Sequence, residues 1–287
     1  MRCLCSIFLI CCLVACGGTK KVTQKKESAP TQPGIHKDSV SNSDTEVKNA
    51  PVDIEVQEEK TPSEVNNDSI YIIKITTHDA WDNLLKLHVT PKGNVNYKGF
   101  KKDHRKLNDY IRHLGENMPT KDWLKHHELA YWINAYNAFT IDLILRHYPV
   151  KSIKDIKDPW KQRHWKLGDV WYNLDEIEHQ ILRKMDEPRI HFAINCASVS
   201  CPKLQNTAFS STNLDQQLTK ATKDFLSDTT KNQISEDQIE LSKLFQWFAK
   251  DFKKYGSLID FLNRYSDVQI SEKAKKRFMD YNWGLNE

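Results

Sequence analysis

From Tyr71 onward, large apolar residues recur mostly at the three- and four-residue spacing of an amphipathic helix. Only short stretches show the two-residue spacing of a strand. Trp81, Leu84, Leu85 and Val89 predict a helix over 78–87. The same spacing predicts helices over 103–114, 121–147, 174–185, 214–226, 242–252, 258–265 and 272–279. The second of these leaves almost no polar face after Leu129, through Leu129, Trp132, Ile133, Tyr136, Phe139, Ile141, Leu143 and Ile144. A helix apolar all round is a buried one, so the segment near 127–147 is the central helix, and Pro149 ends it. Strands are predicted over 95–100 and 189–195. Hairpins are predicted over 166–172, turning at Gly168-Asp169, and over 233–241, turning at Glu236-Asp237. Asn173 stands where a helix of 174–185 needs its cap. The class is α+β: a mostly helical single domain over 69–287 with a small sheet.

Before Tyr71 the pattern changes. Residues 17–68 contain no Phe, Trp or Tyr and few large apolar side chains. Such a segment cannot bury enough surface to offset its ordering entropy, so 17–68 is expected to be a disordered tether. As a flexible coil it would span roughly 40 Å. Residues 1–16 differ again: Arg2 precedes a mostly apolar run from Leu4 to Val14, followed by Ala15-Cys16-Gly17-Gly18. This is the plan of a secretory signal peptide, and the run is too short to span a bilayer comfortably. Its Leu13-Val14-Ala15-Cys16 ending resembles the lipobox of bacterial lipoproteins. The resemblance implies that Cys16 becomes the acylated first residue of an exported protein, held by its lipid at a membrane of the cell envelope.

Export changes how the seven cysteines are read. Cys3, Cys5, Cys11 and Cys12 leave with the signal, Cys16 carries the lipid, and Cys196 and Cys201 remain. A lone pair in an oxidising compartment suggests a disulfide, whose short loop would contribute about 2 kcal/mol. No second cysteine pair accompanies it, so no metal is expected. The net charge of +4 is spread over interspersed acids and bases, which is a solvated surface and not a nucleic-acid footprint. The chain has no glycine-rich phosphate loop, no His-Glu-x-x-His and no internal repeat, and no cofactor is expected.

Candidate chemistry lies in three stretches. In 126–139, Asn134 and Asn137 fall on the buried helix and must find hydrogen-bond partners, while Glu128 enters at the first turn, where the helix dipole favours a carboxylate. In 174–185, Glu178 falls inside the apolar face made by Leu174, Ile177, Ile181, Leu182 and Met185. A carboxylate there is either paired with a buried cation or held for function. Asp175, His179 and Arg183 line another face at four-residue steps, which also suits plain surface pairing. In 189–204, the predicted strand places His191, Ala193 and Asn195 on one side and ends in a Cys196-Ala-Ser198-Val-Ser200-Cys201-Pro turn. Nucleophiles and oxyanion-binding N–H groups often occupy such turns.

These stretches resemble the family catalogued as domain of unknown function 547, seen in bacterial envelope proteins and in plants and animals. The matching strings are AYWINAYNAFT (130–140), HYPVKSIKDI (147–156), LDEIEHQILR (174–183), RIHFAINCASVSCPKL (189–204) and YNWGLN (281–286). The family's ending usually reads Tyr-Asp-Trp-Ser-Leu-Asn, from which Asn282 and Gly284 depart. The resemblance assigns no activity.

Two readings follow. In one, the domain is a papain- or transglutaminase-like thiol hydrolase or acyl-transferase. Cys196 attacks a carbonyl, His191 is the base, and Glu178, Glu128 or an asparagine orients the histidine. In the other, it is a non-catalytic binding or scaffolding module for a protein or small molecule. A Cys196–Cys201 disulfide then braces a groove lined by Trp132, Tyr136, Trp160, Trp165 and Trp171. The short connection through Pro188 makes the 174–185 helix and the 189–195 strand packed neighbours, with Glu178 against His191. Both readings share the anchor. Cys16→Ser is expected to move the protein from the membrane fraction to a soluble or unprocessed form. Unchanged fractionation, with no lipid mass on the N-terminus, would contradict this.

Overall fold

In the computed structural model, which describes residues 76–287, the apolar run forms one long helix, α4 (Lys125–His147). The expectations for 1–16, Cys16 included, and for 17–68 lie outside the described residues. Every residue of α4 from Leu129 to Leu145 is buried. Residues 121–124, expected within it, form a turn ahead of it. Helices α1 (Asp79–His88), α2 (Tyr97–Lys102) and α3 (His104–Glu116) pack on one another and on α4. The strand expected over 95–100 is therefore a correction: only Val95 pairs, with Val89, and a helix follows. The Asn96 side chain accepts from Gly99 N at 2.8 Å and so starts that helix, and Tyr97 and Phe100, three apart, share its buried face.

The first hairpin is as expected: β1 (Trp165–Leu167) and β2 (Val170–Tyr172) pair antiparallel around Gly168, at φ +56°. Asn173 caps the next element, accepting from Glu176 N at 2.8 Å. That element is not a uniform helix. One α turn, α5 (Leu174–Glu176), passes into a π turn (Ile177–Ile181) and then a 3-10 turn (Leu182–Met185), ending at Asp186 with φ +58°. The strand expected over 189–195 is a 3-10 turn, Pro188–Phe192. Pro188 suits a first helical position, and Glu187 caps it through Arg189 N. The backbone groups just beyond it need no strand neighbour, because Asn137 bonds both Ala193 O and Asn195 N, at 2.9 Å each.

The C-terminal part contains α6 (Leu214–Ser227), β3 (Gln233–Ile234), β4 (Gln238–Leu241), α7 (Leu244–Trp247), α8 (Ala249–Phe252), α9 (Leu258–Asn263) and β5 (Lys275–Phe278). The single helix expected over 242–252 breaks at Phe248, whose ψ is +27°. The helix expected over 272–279 is instead β5, which runs parallel to β4 in a sheet ordered β3-β4-β5. Lys275, Lys276 and Arg277 favour helices locally, but pairing with β4 overrides that propensity, and their charges suit an exposed edge strand. The class is α+β, mostly helix with two small sheets.

Two hydrophobic clusters meet along residues 188–194. Ile190, Ala193 and Ile194 belong to the cluster around α4, while Phe192 belongs to a second cluster with Phe225, Phe245, Phe252 and Phe261. Asn137 braces this junction and Asn134 braces the chain at Phe209. Asn134 donates to Phe209 O at 2.7 Å and accepts from Phe209 N at 3.0 Å, as Asn137 does for Ala193 and Asn195. Asn134→Leu and Asn137→Leu are therefore expected to destabilise the fold, despite added hydrophobicity, by roughly 1–3 kcal/mol per orphaned backbone group. Urea denaturation measures this, and midpoints at or above wild type would show that the braces carry no weight.

Candidate functional site

Residues 193–201 leave the 3-10 turn and enter a tight loop that one side chain pins. Asn195 Nδ2 donates to Pro202 O at 2.7 Å, and its Oδ1 accepts from Ala197 N at 2.8 Å and from Asn286 Nδ2 at 3.2 Å. Ala197 sits at φ +56°, a conformation that costs an L-residue on the order of 1 kcal/mol or more. The C-terminal residues close over the loop. Val199 N donates to Gly284 O at 2.8 Å, Asn282 N donates to Ser200 Oγ at 2.9 Å, and Ser198 bridges Leu285. The strap thereby brings Tyr281 onto Cys196.

Cys196 and Cys201 are free thiols with sulfurs 2.8 Å apart. Cys196 Sγ also lies 3.3 Å from both Ser198 Oγ and Tyr281 OH, and Cys196 N donates to Cys201 Sγ at 3.0 Å. The two thiols are driven apart in acidity. The Cys201 hydrogen bond, helped by Ser198 and Tyr281, outweighs burial and lowers the pKa of Cys196. Burial, followed by the neighbouring Cys196, pushes Cys201 well up, and burial likewise keeps Tyr281 protonated. Cys196 is thus the more acidic thiol of the pair and Cys201 its hydrogen-bond donor.

Cys196 opens onto a cavity of about 650 Å³, which is also lined by His191, Glu178, His179, Tyr136 and Tyr281. This volume is in the range of small-molecule sites. The three expected catalytic residues, Cys196, His191 and Glu178, share its wall with the expected His179, but not in the expected arrangement. Glu178 Oε2 accepts from Tyr136 OH at 3.0 Å and is not hydrogen-bonded to a histidine. The carboxylate on His191 is Asp251, whose Oδ2 lies 2.8 Å from Nε2. The π turn explains the difference: its wider winding moves Glu178 off the line that a regular helix would give it.

His191 is clamped from both sides. Its ring stacks on Phe248 with centroids 4.0 Å apart. Arg183 holds Asp251 in a fork, Nε to Oδ2 at 2.6 Å and Nη2 to Oδ1 at 2.9 Å, and its Nη1 lies 3.0 Å from His179 Nδ1. Burial would raise the Asp251 pKa, but the Arg183 and His191 hydrogen bonds outweigh it and hold the carboxyl far below its usual range. Burial also lowers the His191 pKa, against the opposing pull of Asp251. The neutral ring, donating Nε2–H to Asp251, keeps Nδ1 as its unprotonated nitrogen.

Glu128, Asn134, Asn137, Arg183, Ser198 and Ser200 do not line this cavity. The asparagines brace backbone, Ser198 and Ser200 fasten the loop, and Arg183 acts on Asp251. The aromatic groove is corrected too: Tyr136 and Trp160 line the cavity, but Trp132, Trp165 and Trp171 do not, and Trp247, Phe248 and Trp283 do. Trp165 is spent in the core, stacked on Phe139 with its Nε1–H on the buried Asp142 at 2.8 Å. Asp251, Tyr281 and Trp247 belong to the candidate site and were not among the residues that the sequence singled out. Tyr281 and Trp283 had a signal, since they begin and centre the closing YNWGLN string. Asn282, where the usual pattern has aspartate, accepts from Gly284 N at 2.8 Å. An aspartate oxygen would accept the same bond, so here the position shapes a turn.

Residues 120–226 match the family model described as Protein of unknown function, DUF547, and hold four of the five matching strings. No curated protein and no solved structure matches the chain.

The lowered His191 pKa fixes a sign. An unfolded histidine titrates near 6.5, so the stability that the neutral ring contributes is complete above that pH and is lost as pH falls below it. His78, lowered to about 4 by burial and then by His113, adds the same sign over the window from 6.5 to about 4. Asp251 is lost only at lower pH, below its unfolded value of roughly 3.9. Urea denaturation at pH 7 and pH 5 is expected to show lower stability at pH 5, with a smaller difference in His191→Gln. Equal differences in the two proteins would contradict the assignment.

Proposed function

We propose that the domain is a thiol-dependent acyl hydrolase or acyl-transferase, carried at the cell envelope by lipid on Cys16. The observation that carries this reading is the Cys196 sulfur, open to a cavity and within hydrogen-bond reach of Cys201, Ser198 and Tyr281. A thiolate stabilised by fixed donors needs no adjacent base to activate it. Cys196 attacks an acyl carbon, forming an S–C bond as the leaving group departs. Water or an acceptor then loses its proton to His191 Nδ1, attacks the thioester carbon and expels the thiolate, which its donors receive again. Asp251 sets the tautomer of His191, the part expected of Glu178, and Phe248 sets the ring plane. Glu178 hydrogen-bonded to Tyr136 closes the cavity wall beside them.

A second reading keeps the domain as a binding module with a Cys196–Cys201 disulfide, and the 2.8 Å between the sulfurs favours it. One experiment separates the two. Purified under mild reductant, the protein is expected to be alkylated by iodoacetamide at Cys196 about tenfold faster than an ordinary thiol at pH 7, as a lowered thiol pKa requires. Cys201→Ala should slow that labelling at pH 7 by removing the donor with the largest effect. With S-phenyl thioesters, His191→Gln should accumulate an acyl adduct on Cys196 that wild type turns over. A mass two hydrogens short that resists mild reductant, with no labelling of Cys196, would favour the binding module.

A further inference from the structure

Three tryptophans and three lysines line the cavity beside Tyr281, whose hydroxyl touches the thiol. Trp283 stacks on Trp247 with centroids 5.7 Å apart and meets Trp160 edge-on at 5.9 Å. Trp247 is 46% exposed, so the aromatic wall reaches the cavity mouth. Lys154, Lys157 and Lys161 line the same cavity from the segment that carries Trp160. All three are exposed, and none forms an ion pair among the described residues. The Lys154 ammonium lies 5.2 Å from the Trp283 ring centroid, where the ring face holds the cation beside the aromatic wall.

Three carboxylates line the cavity as well, and where each sits decides the local balance. Glu178 takes the Tyr136 hydroxyl at 3.0 Å, and Asp175 lies 3.7 Å from His179 Nε2. Asp158, exposed on the lysine segment, is the one carboxylate of the three without a side-chain partner among the described residues. The lysine segment thus brings three ammonium groups and one carboxylate, Asp158, to the cavity, so the charge on that side is positive, and it adjoins the tryptophans of the same wall. Rim charges of one sign select and steer ligands of the other, while buried aromatic surface supplies affinity.

We propose that this cavity selects acyl substrates bearing a free carboxylate: a flat or apolar body against Trp160, Trp247 and Trp283, the carboxylate at Lys154, Lys157 and Lys161, and the acyl carbon at Cys196. The substrate class rests on the thiol reading for its reaction but not for its binding, so the two are tested apart. Binding is followed by tryptophan fluorescence with three ligands of one frame: glutaranilic acid, its primary amide, and 5-amino-N-phenylpentanamide. Acylation is followed by the mass of Cys196 after exposure to the S-phenyl monothioesters of glutarate and glutaramate.

The carboxylate ligand is expected to bind on the order of tenfold more tightly than the amide and more tightly still than the amine, with the margin shrinking as salt rises. Lys157→Glu with Lys161→Glu should abolish or invert the order, and Lys273→Glu, an exposed lysine outside the cavity, should leave it intact. Equal binding of carboxylate and amide, tighter binding of the amine, or no binding of any of the three overturns the proposal. Selective binding of the carboxylate without acylation of Cys196 leaves the ligand class standing and overturns the hydrolase reading. Acylation by both thioesters at equal rates, with equal binding, does the reverse.

Discussion

A side-chain amide in the middle of a buried helix must bond something, and in α4 both asparagines bond the backbones of other segments. Asn137 meets this constraint by taking Ala193 O and Asn195 N together, at 2.9 Å each. The rest of the site hangs from that pair of bonds. With its backbone fixed, Asn195 turns its own side chain to Ala197, Pro202 and Asn286. Asn286 in turn accepts the Tyr97 hydroxyl at 2.7 Å, so the last residues of the chain are tied to the first helices through the loop that carries Cys196. The positive φ of Ala197 persists because this loop is over-determined by side-chain bonds.

The two thiols illustrate how position makes like groups unlike. Cys201 is buried and Cys196 is partly exposed, yet they lie in one short loop. In a dry environment two adjacent thiolates would repel, so only one can ionise. The donors decide which. Ser198 and Tyr281 lie on the Cys196 side, and Tyr281 comes from the C-terminal strap rather than from the loop. The acidity of Cys196 therefore depends on a residue more than eighty positions away in sequence, held by the backbone pairing of Val199 with Gly284.

Much of the fold was legible in the sequence, because amphipathic spacing records which face is buried. Helices α1, α3, α4, α6 and α9 and both hairpins follow from it. The errors share a cause: the partner was not local. Residues 189–195 carry strand-like alternation, but their backbone groups are satisfied by α4 and not by a neighbouring strand. Residues 275–278 carry helix formers, but β4 offers them a ladder. The site was legible as a set of residues more than as an arrangement. His191, Cys196 and Glu178 do share one cavity, yet spacing assumes a regular helix, and the π turn at 177–181 defeats that assumption for Glu178. Asp251 lies 60 residues beyond His191 in an unremarkable amphipathic stretch, so nothing local marked it. Conversely, Trp132 and Trp165 look like a groove in sequence and are core in space.

The break at Phe248 joins these threads. A continuous helix over 242–252 would carry Trp247, Phe248 and Asp251 in fixed relation on its surface. The break instead separates α7 from α8. Trp247 turns to Trp283 on the cavity wall, and Phe248 lies flat against His191. Asp251, one turn on, caps the same imidazole at Nε2. Stacking and hydrogen bonding at right angles leave the ring little freedom, and Arg183 removes what remains by fixing Asp251 in a fork. His191 belongs by sequence to the turn that bridges the two hydrophobic clusters. Its clamp comes from the second cluster, and Cys196 is fastened to the first through Asn137 and Asn195. The distance between His191 and Cys196 is therefore set by how the two clusters pack. Phe192, fully buried among Phe225, Phe245, Phe252 and Phe261, is the residue that locks that packing one position from the imidazole.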